Sequence, residues 1–356
     1  MLLSTLPLAA QEINVFNCNK DVLAFHDDEV TLTQSLRTQM RDHRNANRKG
    51  LKDRLKEKGH PQPCEFIKQG SYAMLTMVQD PDNDYDIDDG VYFAEADLKD
   101  SAGAPLSPKA TREHVCDALR DDRFSKQPKV LKSCVRVYYN EGYHVDLPVY
   151  RIRATDGEYE LASGDDWRVS RAADVEQWFY DANAAKSPDL ENGRQFRRVT
   201  RIAKKFARSR VSWKTDIARG FTVTKLVEEC YVSDGQREDV ALRETLSAIH
   251  RRLQVNLEVG HPTTAGDLLA TADDKRTAYL RDRLAIALDD LTVLDSADCT
   301  SAKARKAWDK AFNTDFFSAR EVQKVAEAAN AAALANIIST REYPRPVDKQ
   351  GGGRFA

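Results

Sequence analysis

Six aspartates crowd into the interval from Asp80 to Asp89, inside the stretch QGSYAMLTMVQDPDNDYDIDDGVYF that runs from Gln69 to Phe93. Like charges held that close repel unless something positive sits among them. Two of the six, Asp86 and Asp88, frame a single isoleucine. On a strand, alternation places their carboxylates on one face and Ile87 on the other. A third carboxylate stands in GYHVDLPVY, where Val145, Leu147 and Val149 mark the buried face and leave Asp146 and His144 opposite. The two carboxylates of Asp86 and Asp88 suit shared coordination of hard divalent cations such as Mg²⁺, and three converge if the Asp146 strand neighbours theirs. Just ahead of them, Gly70 permits close backbone approach and Ser71 offers a hydroxyl, the elements of a phosphate contact. Together these parts allow phosphoryl or nucleotidyl transfer. The metals would bridge a triphosphate and activate an attacking hydroxyl, and the third carboxylate would take its proton, directly or through water.

A calcium loop of the EF-hand kind is excluded. Counted from Asp82 or from Asp84, the position that requires glycine holds Ile87 or Asp89. An acidic surface turn accounts for Asp80, Asp82 and Asp84. It does not account for Asp86 and Asp88, which alternate with Ile87 and precede Val91 and Phe93.

Positioning these groups requires two short strands and a hairpin. CEFIKQGS reads as a strand entering a turn, YDIDDGVYF as a second strand, and KSCVRVYYNEGYHVDLPVYRI as a hairpin turning near Asn140-Glu141-Gly142. Leu32, Leu36 and Met40, then Leu51 and Leu55, recur every four residues and predict a long N-terminal helix or helix pair, interrupted near Gly50. After about residue 165 the pattern is helical almost throughout, with Phe196, Val199, Ala203 and Phe206 on one face of a basic helix. The expected organisation is a catalytic core with its N-terminal helix over 1–165, a helical lobe over 166–342 and a flexible tail over 343–356. The apolar start MLLSTLPLAA lacks the basic residues of a signal peptide and reads as a packed or frayed end.

Composition sets the class. With 356 residues, 41% hydrophobic and 31% charged, the chain is of globular type. No apolar run approaches the ~20 residues needed to span a bilayer. Six scattered cysteines without a C-x-x-C pair point to reduced thiols, a cytoplasmic setting and no zinc site. The net charge of −2 conceals two basic stretches: ten Lys/Arg against two acids from Glu191 to Arg219, and nine against three from Arg37 to Lys58. Basic helices beside an acidic metal site suit a polyanionic substrate, or are solvated faces.

A Gly-Ser turn, then D-x-D on a strand, then a lone strand aspartate is the signature of the polymerase-β-like nucleotidyltransferase superfamily. The wording QGS…T…DYDIDDGVYF resembles the bacterial cGAS/DncV-like nucleotidyltransferases of anti-phage signalling systems. RRVTRIAKKFARSR…ARGFTVTKLVEECY is similar to that family's spine-like helix and its successor, and VGHPTTAGDLL to its late proline-containing segment, so the likeness covers roughly residues 60 to 320. It implies an α+β fold: a polymerase-β-like mixed sheet with a long N-terminal helix, packed against a helical C-terminal lobe. Asp86, Asp88 and Asp146 would hold two Mg²⁺ ions, with Mn²⁺ as a substitute. Gln69, Gly70 and Ser71 would line the donor triphosphate, and Lys204, with Lys205 as rival, would contact a phosphate. Arg219 stands where a serine near the phosphates is expected. Ala73 and Met74 stand where some relatives carry a glutamine and a base-stacking tyrosine. The implied activity is synthesis of a cyclic di- or trinucleotide from nucleoside triphosphates, ATP among them, in antiviral defence. Alternatives are a linear oligoadenylate synthase or RNA-end nucleotidyltransferase of the same fold, and a non-catalytic nucleotide-binding scaffold. Implied partners are ATP and other nucleoside triphosphates, a protein that regulates the enzyme or conjugates the GGGRFA tail, and an activating nucleic acid, with no membrane.

Overall fold

The computed structural model describes residues 15–80, 82 and 85–320. The expectations for the first ten residues and for the tail from 343 lie outside them.

Eight strands form one mixed sheet: β1 (Glu65–Gln69), β2 (Asp86–Ala94), β3 (Lys129–Val130), β4 (Val135–Tyr138), β5 (His144–Leu147), β6 (Val149–Ile152), β7 (Tyr159–Ser163) and β8 (Asp166–Val169). β2 is the middle strand. β1 pairs with it antiparallel, and β5 and β6 pair with it parallel in one continuous register. Only Pro148, which has no N–H to give, divides β5 from β6, and its carbonyl still accepts from the Val91 amide at 2.8 Å. β4 lies antiparallel to β5, and β7 to β6, so the predicted hairpin is present as β4–β5. Ile87, Val91 and Phe93 of β2 bury with Val145, Leu147 and Val149. Each such side chain contributes roughly 1.5–3 kcal/mol when withdrawn from water.

That apolar face is covered by α2 (Gln34–Glu57) and α4 (Pro108–Leu119). Thr33 caps α2 by accepting from the Leu36 amide, and Ser107 caps α4 ahead of Pro108. The break expected near Gly50 does not occur: α2 runs straight through it. Met40, Leu51 and Leu55 anchor the helix on both sides of the glycine, and that packing outweighs the ~1 kcal/mol a mid-helix glycine costs.

The helical lobe contains α5 (Ala172–Lys186), α6 (Gln195–Ala207), α7 (Gly220–Cys230), α8 (Glu238–Val255), α9 (Lys275–Asp290) and α10 (Ser301–Phe312). VGHPTTAGDLL folds as a small hairpin of β9 (Val259–Gly260) and β10 (Leu268–Ala270). Phe196, Val199, Ala203 and Phe206 of α6 are buried at its centre, as their spacing predicts. A short first helix, α1 (Asn19–Phe25), belongs to this lobe: Phe25 meets Phe312 and Phe317 at centroid distances of 5.1 and 4.9 Å. The one-turn α3 (Gly70–Ala73) follows β1 directly. Among the described residues, no helix is long and apolar enough to cross a membrane.

Candidate active site

The parallel register of β2 and β5 sets Asp86 beside His144 and Asp88 beside Asp146. Antiparallel β4 then places Arg136 across from Asp146. The Arg136 Nε and Nη2 donate to the two Asp146 oxygens at 2.7 Å each, and Nη2 reaches Asp86 at 3.2 Å. His144 Nε2 lies 2.8 Å from the same Asp86 oxygen. The positive charge that the acidic run requires is therefore partly built in. Burial works against ionisation of Asp86, but the His144 hydrogen bond and the charges of His144 and Arg136 hold its carboxyl below the usual range. Among the described residues, Asp88 has no hydrogen-bond or ion-pair partner of this kind. Burial first, then the charges of Asp146 and Asp86, push it up to about 7.

A divalent cation fits this arrangement by donor type and by charge. Three carboxylates share one face, and the charge of Arg136 only partly offsets the burial of Asp88 and its repulsion by Asp146 and Asp86. Among the described residues, no three ligating groups already form a metal cage. Arg136 holds both oxygens of Asp146, so a cation shared by Asp88 and Asp146 must compete with that guanidinium. The sixth aspartate, Asp89, points the other way. It is fully buried and grips Arg48 of α2 at 2.7 and 2.5 Å, a structural ion pair.

β1 ends with Gln69 beside Asp88, and the chain turns at Gly70 with φ +62°. A Cβ at Gly70 would fall 2.3 Å from an Asp88 oxygen, so both the backbone and the neighbouring carboxylate demand glycine. Ser71 follows in the cavity wall. Gln69 also forms part of that wall, but its amide donates to the Tyr92 hydroxyl at 2.8 Å and accepts from the Tyr150 hydroxyl at 3.1 Å. Its side chain therefore braces the sheet beneath the turn.

The basic helix α6 is not a solvated face. Three of its side chains donate to carbonyls of the segment after the Gly-Ser turn: Arg201 to Leu75 at 2.8 Å, Lys204 to Thr76 at 2.6 Å and Lys205 to Gln79 at 3.1 Å. They hold that segment, including Leu75 at φ +57°, against the helical lobe. Lys204 is only 6% exposed, and burial, followed by the charges of Arg208 and Arg201, brings its ammonium down to about 7. It still lines a cavity of about 490 Å³ together with Gly70, Ser71, Asp86, Asp88 and Gly220. Lys205 does not. Phe221 and His261 form the far wall, edge to face at 5.6 Å. Arg219 lies outside this cavity and lines a neighbouring one.

Residues 64–150 match the family model of the cyclic GMP-AMP synthase DncV-like nucleotidyltransferase domain. The chain carries a DncV-like nucleotidyltransferase domain. Solved structures share the fold across both lobes. The Vibrio cholerae di-nucleotide cyclase DncV, solved with ATP, GTP and 5MTHFGLU2, is 16% identical with a TM-score of 0.69, over 84% of this chain and 96% of that one. The same enzyme with the linear intermediate 5′ pppA(3′,5′)pG is 16% identical with a TM-score of 0.66, over 84% and 96%. Escherichia coli MS115-1 CdnC in complex with HORMA-deltaN is 18% identical with a TM-score of 0.63, over 83% and 96%.

The matched nucleotidyltransferase domain contains Gly70, Ser71, Asp86, Asp88 and Asp146. Lys204, Gly220, Phe221 and His261 come from beyond it, so the helical lobe completes the cavity wall. Two participants of this domain were missed in the sequence. Arg136 was legible there: a hairpin centred on Glu141 pairs position 136 with 146. The charge of His144 against Asp86 needed the parallel pairing of β2 with β5, which no local pattern states. The aromatic wall at Phe221 carried no signal beyond the letters GF.

Proposed function

We propose that this nucleotidyltransferase joins nucleoside triphosphates, at least one of them ATP, into a cyclic di- or trinucleotide second messenger and releases pyrophosphate. One observation carries the reading: Asp86 and Asp88 line a cavity of nucleotide size together with Gly70 and Ser71, and Asp146 stands beside Asp88 in parallel register, behind that wall. Ser71 and Lys204 would hold the donor phosphates, and Gly70 keeps the backbone clear of Asp88. Asp86, Asp88 and Asp146 would hold two Mg²⁺ ions, with Mn²⁺ as a substitute, which when bound neutralise the phosphate charge and lower the pKa of the attacking hydroxyl. Asp146, once free of Arg136, would receive the hydroxyl proton, directly or through water. Phe221 offers a ring for a base, in place of the tyrosine absent at Met74.

Within the described residues, the catalytic core of this reading is the sheet with α2 and α4, and the helical lobe is α5 to α10 together with α1. Synthesis would serve antiviral defence in the cytoplasm, under a regulatory protein partner. The complex of CdnC with HORMA-deltaN supports such a partner. The inward-facing basic side chains of α6 weigh against that helix as a nucleic-acid surface. Incubation with each labelled triphosphate and Mg²⁺ or Mn²⁺, then mass spectrometry of phosphatase-resistant products, tests the proposal. A cyclic mass is the expected result. A linear product would assign an oligoadenylate-type synthase, and no product under either metal a binding scaffold.

A further inference from the structure

The face of β2 that carries Asp86 and Asp88 does not end with them. Alternation continues it through Gly90 to Tyr92, and β6 sets Tyr150 beside Tyr92 in register. The two rings stack at a centroid distance of 4.5 Å and an interplanar angle of 6°, and Tyr159 meets Tyr92 edge-on at 5.1 Å. Their two hydroxyls converge on one group. The Gln69 amide donates through Nε2 to Tyr92 at 2.8 Å and accepts through Oε1 from Tyr150 at 3.1 Å. All three residues are buried. β1 pairs Gln69 with Asp88, so the amide must cross the next position on that face, Gly90, to meet the tyrosines. A Cβ at Gly90 would stand 2.3 Å from the Gln69 nitrogen and 2.8 Å from a Tyr92 ring carbon. Gly90 therefore leaves the gap that the amide fills. Gln69 is tied at both ends of its amide, immediately before Gly70.

We propose that Tyr92 and Tyr150 are positioning residues for the transfer reaction: through the Gln69 amide, their hydroxyls fix the Gly70–Ser71 turn against Asp88. The proposal rests on the nucleotidyl-transfer reading above. Neither tyrosine lines the cavity, so each acts through Gln69. The ladder of β1 with β2 stops at the pair of Gln69 and Asp88, and the segment from Leu75 onward is held by α6. Gln69 is thus the last residue by which the sheet holds the turn. Tolerance there is small, because a Cβ at Gly70 would already fall 2.3 Å from an Asp88 oxygen. Where β1 ends sets the spacing between Ser71 and the carboxylates, and a shift of about 1 Å in such a spacing costs on the order of 100-fold in rate. The stacked rings can turn little, so their hydroxyls are fixed points for the amide.

The test compares three variants of the full chain by melting temperature, turnover and calorimetric binding of a non-hydrolysable ATP analogue with Mg²⁺, the last two well below every melting temperature. Gln69→Leu strands two buried hydroxyls, and Y92F/Y150F strands both ends of the amide, so each should melt lower than wild type. The triple variant Q69L/Y92F/Y150F removes every polar partner together and should recover much of that loss. Positioning is absent from all three. In each, kcat should fall about 10- to 100-fold, and analogue binding should weaken about 3- to 10-fold. The triple variant should be no less active than Gln69→Leu, because the hydroxyls have no effect without the amide. Turnover that recovers together with melting temperature would make the network structural only and overturn the proposal. An unchanged kcat in Y92F/Y150F would do the same. Should the single or double variant unfold, Tyr150→Phe alone carries the test: it keeps the ring stack, removes one hydrogen bond and should lower kcat in the same direction. Absence of any product from wild type would sink the synthase reading, and analogue binding then decides. Weaker binding by the triple variant than by wild type upholds the positioning role, and equal binding overturns it.

Discussion

Arg136 closes on Asp146 through two parallel hydrogen bonds of 2.7 Å and extends the same guanidinium to Asp86 at 3.2 Å. One cation of the protein's own thus serves two of the three carboxylates assigned to metal. Arg136→Gln removes the charge and keeps a short donor. The apparent Mg²⁺ affinity, read from the metal dependence of melting temperature, should tighten by about tenfold, the scale of a displaced charged hydrogen bond. The metal-free protein should melt lower, because the carboxylates then face one another without it. Unchanged or weaker Mg²⁺ affinity would show that Arg136 does not compete with metal.

Asp88 carries the complementary prediction. Its carboxyl titrates near 7 in the folded protein against an ordinary value of 3.8. The folded state therefore binds the extra proton between about pH 4 and 7, and metal-free stability from this group falls as pH rises through that window. Asp88→Asn should flatten the slope, raise the metal-free melting temperature at pH 8 and abolish product formation. A metal-free variant that melts below wild type at pH 8 counts against this account of the site.

Lys204 is displaced in the opposite sense, to about 7 from 10.5. Between those values the unfolded chain binds more protons than the folded one, so stability rises with pH from about 7 to 10. Below pH 7 the buried ammonium imposes its full cost. Urea unfolding across that range should show a shallower rise for Lys204→Met than for wild type, together with weakened triphosphate use. Identical slopes would mean that solvent reaches the ammonium.

Asp89 and Arg48 test the fold apart from the chemistry. Arg48→Ala strands a fully buried carboxylate and should cost about 3–5 kcal/mol in urea unfolding. Adding Asp89→Asn should recover much of that loss. A deficit below ~1 kcal/mol would place water at Asp89.

Much of the site was legible because its determinants are local. Alternation along DIDDGVYF sets Asp86 and Asp88 on one face of their strand, and along HVDLPVY it sets Asp146 opposite the apolar residues of its own, since a strand inverts its side chains at every residue. The turn at Asn140 to Gly142 sets the hairpin register, and with it Arg136 against Asp146. Gly70 announces a special backbone, although only the structure shows that the Asp88 carboxylate also forbids a Cβ there.

Other features have no local cause. A helix carrying Arg197, Arg198, Arg201, Lys204 and Lys205 reads as solvated, because sequence displays charge and not the acceptors that meet it. The acceptors are carbonyls of Leu75, Thr76 and Gln79, more than 120 residues earlier, and only folding brings them to α6. The same holds for Gly50, whose helix-breaking tendency is local while the packing that overrides it comes from the sheet and α4. Sequence by itself determined the candidate carboxylates and the face each takes on its own strand. The tertiary structure decided which cations accompany them and that the helical lobe completes the cavity wall, because burial and charge pairing depend on segments distant in the chain.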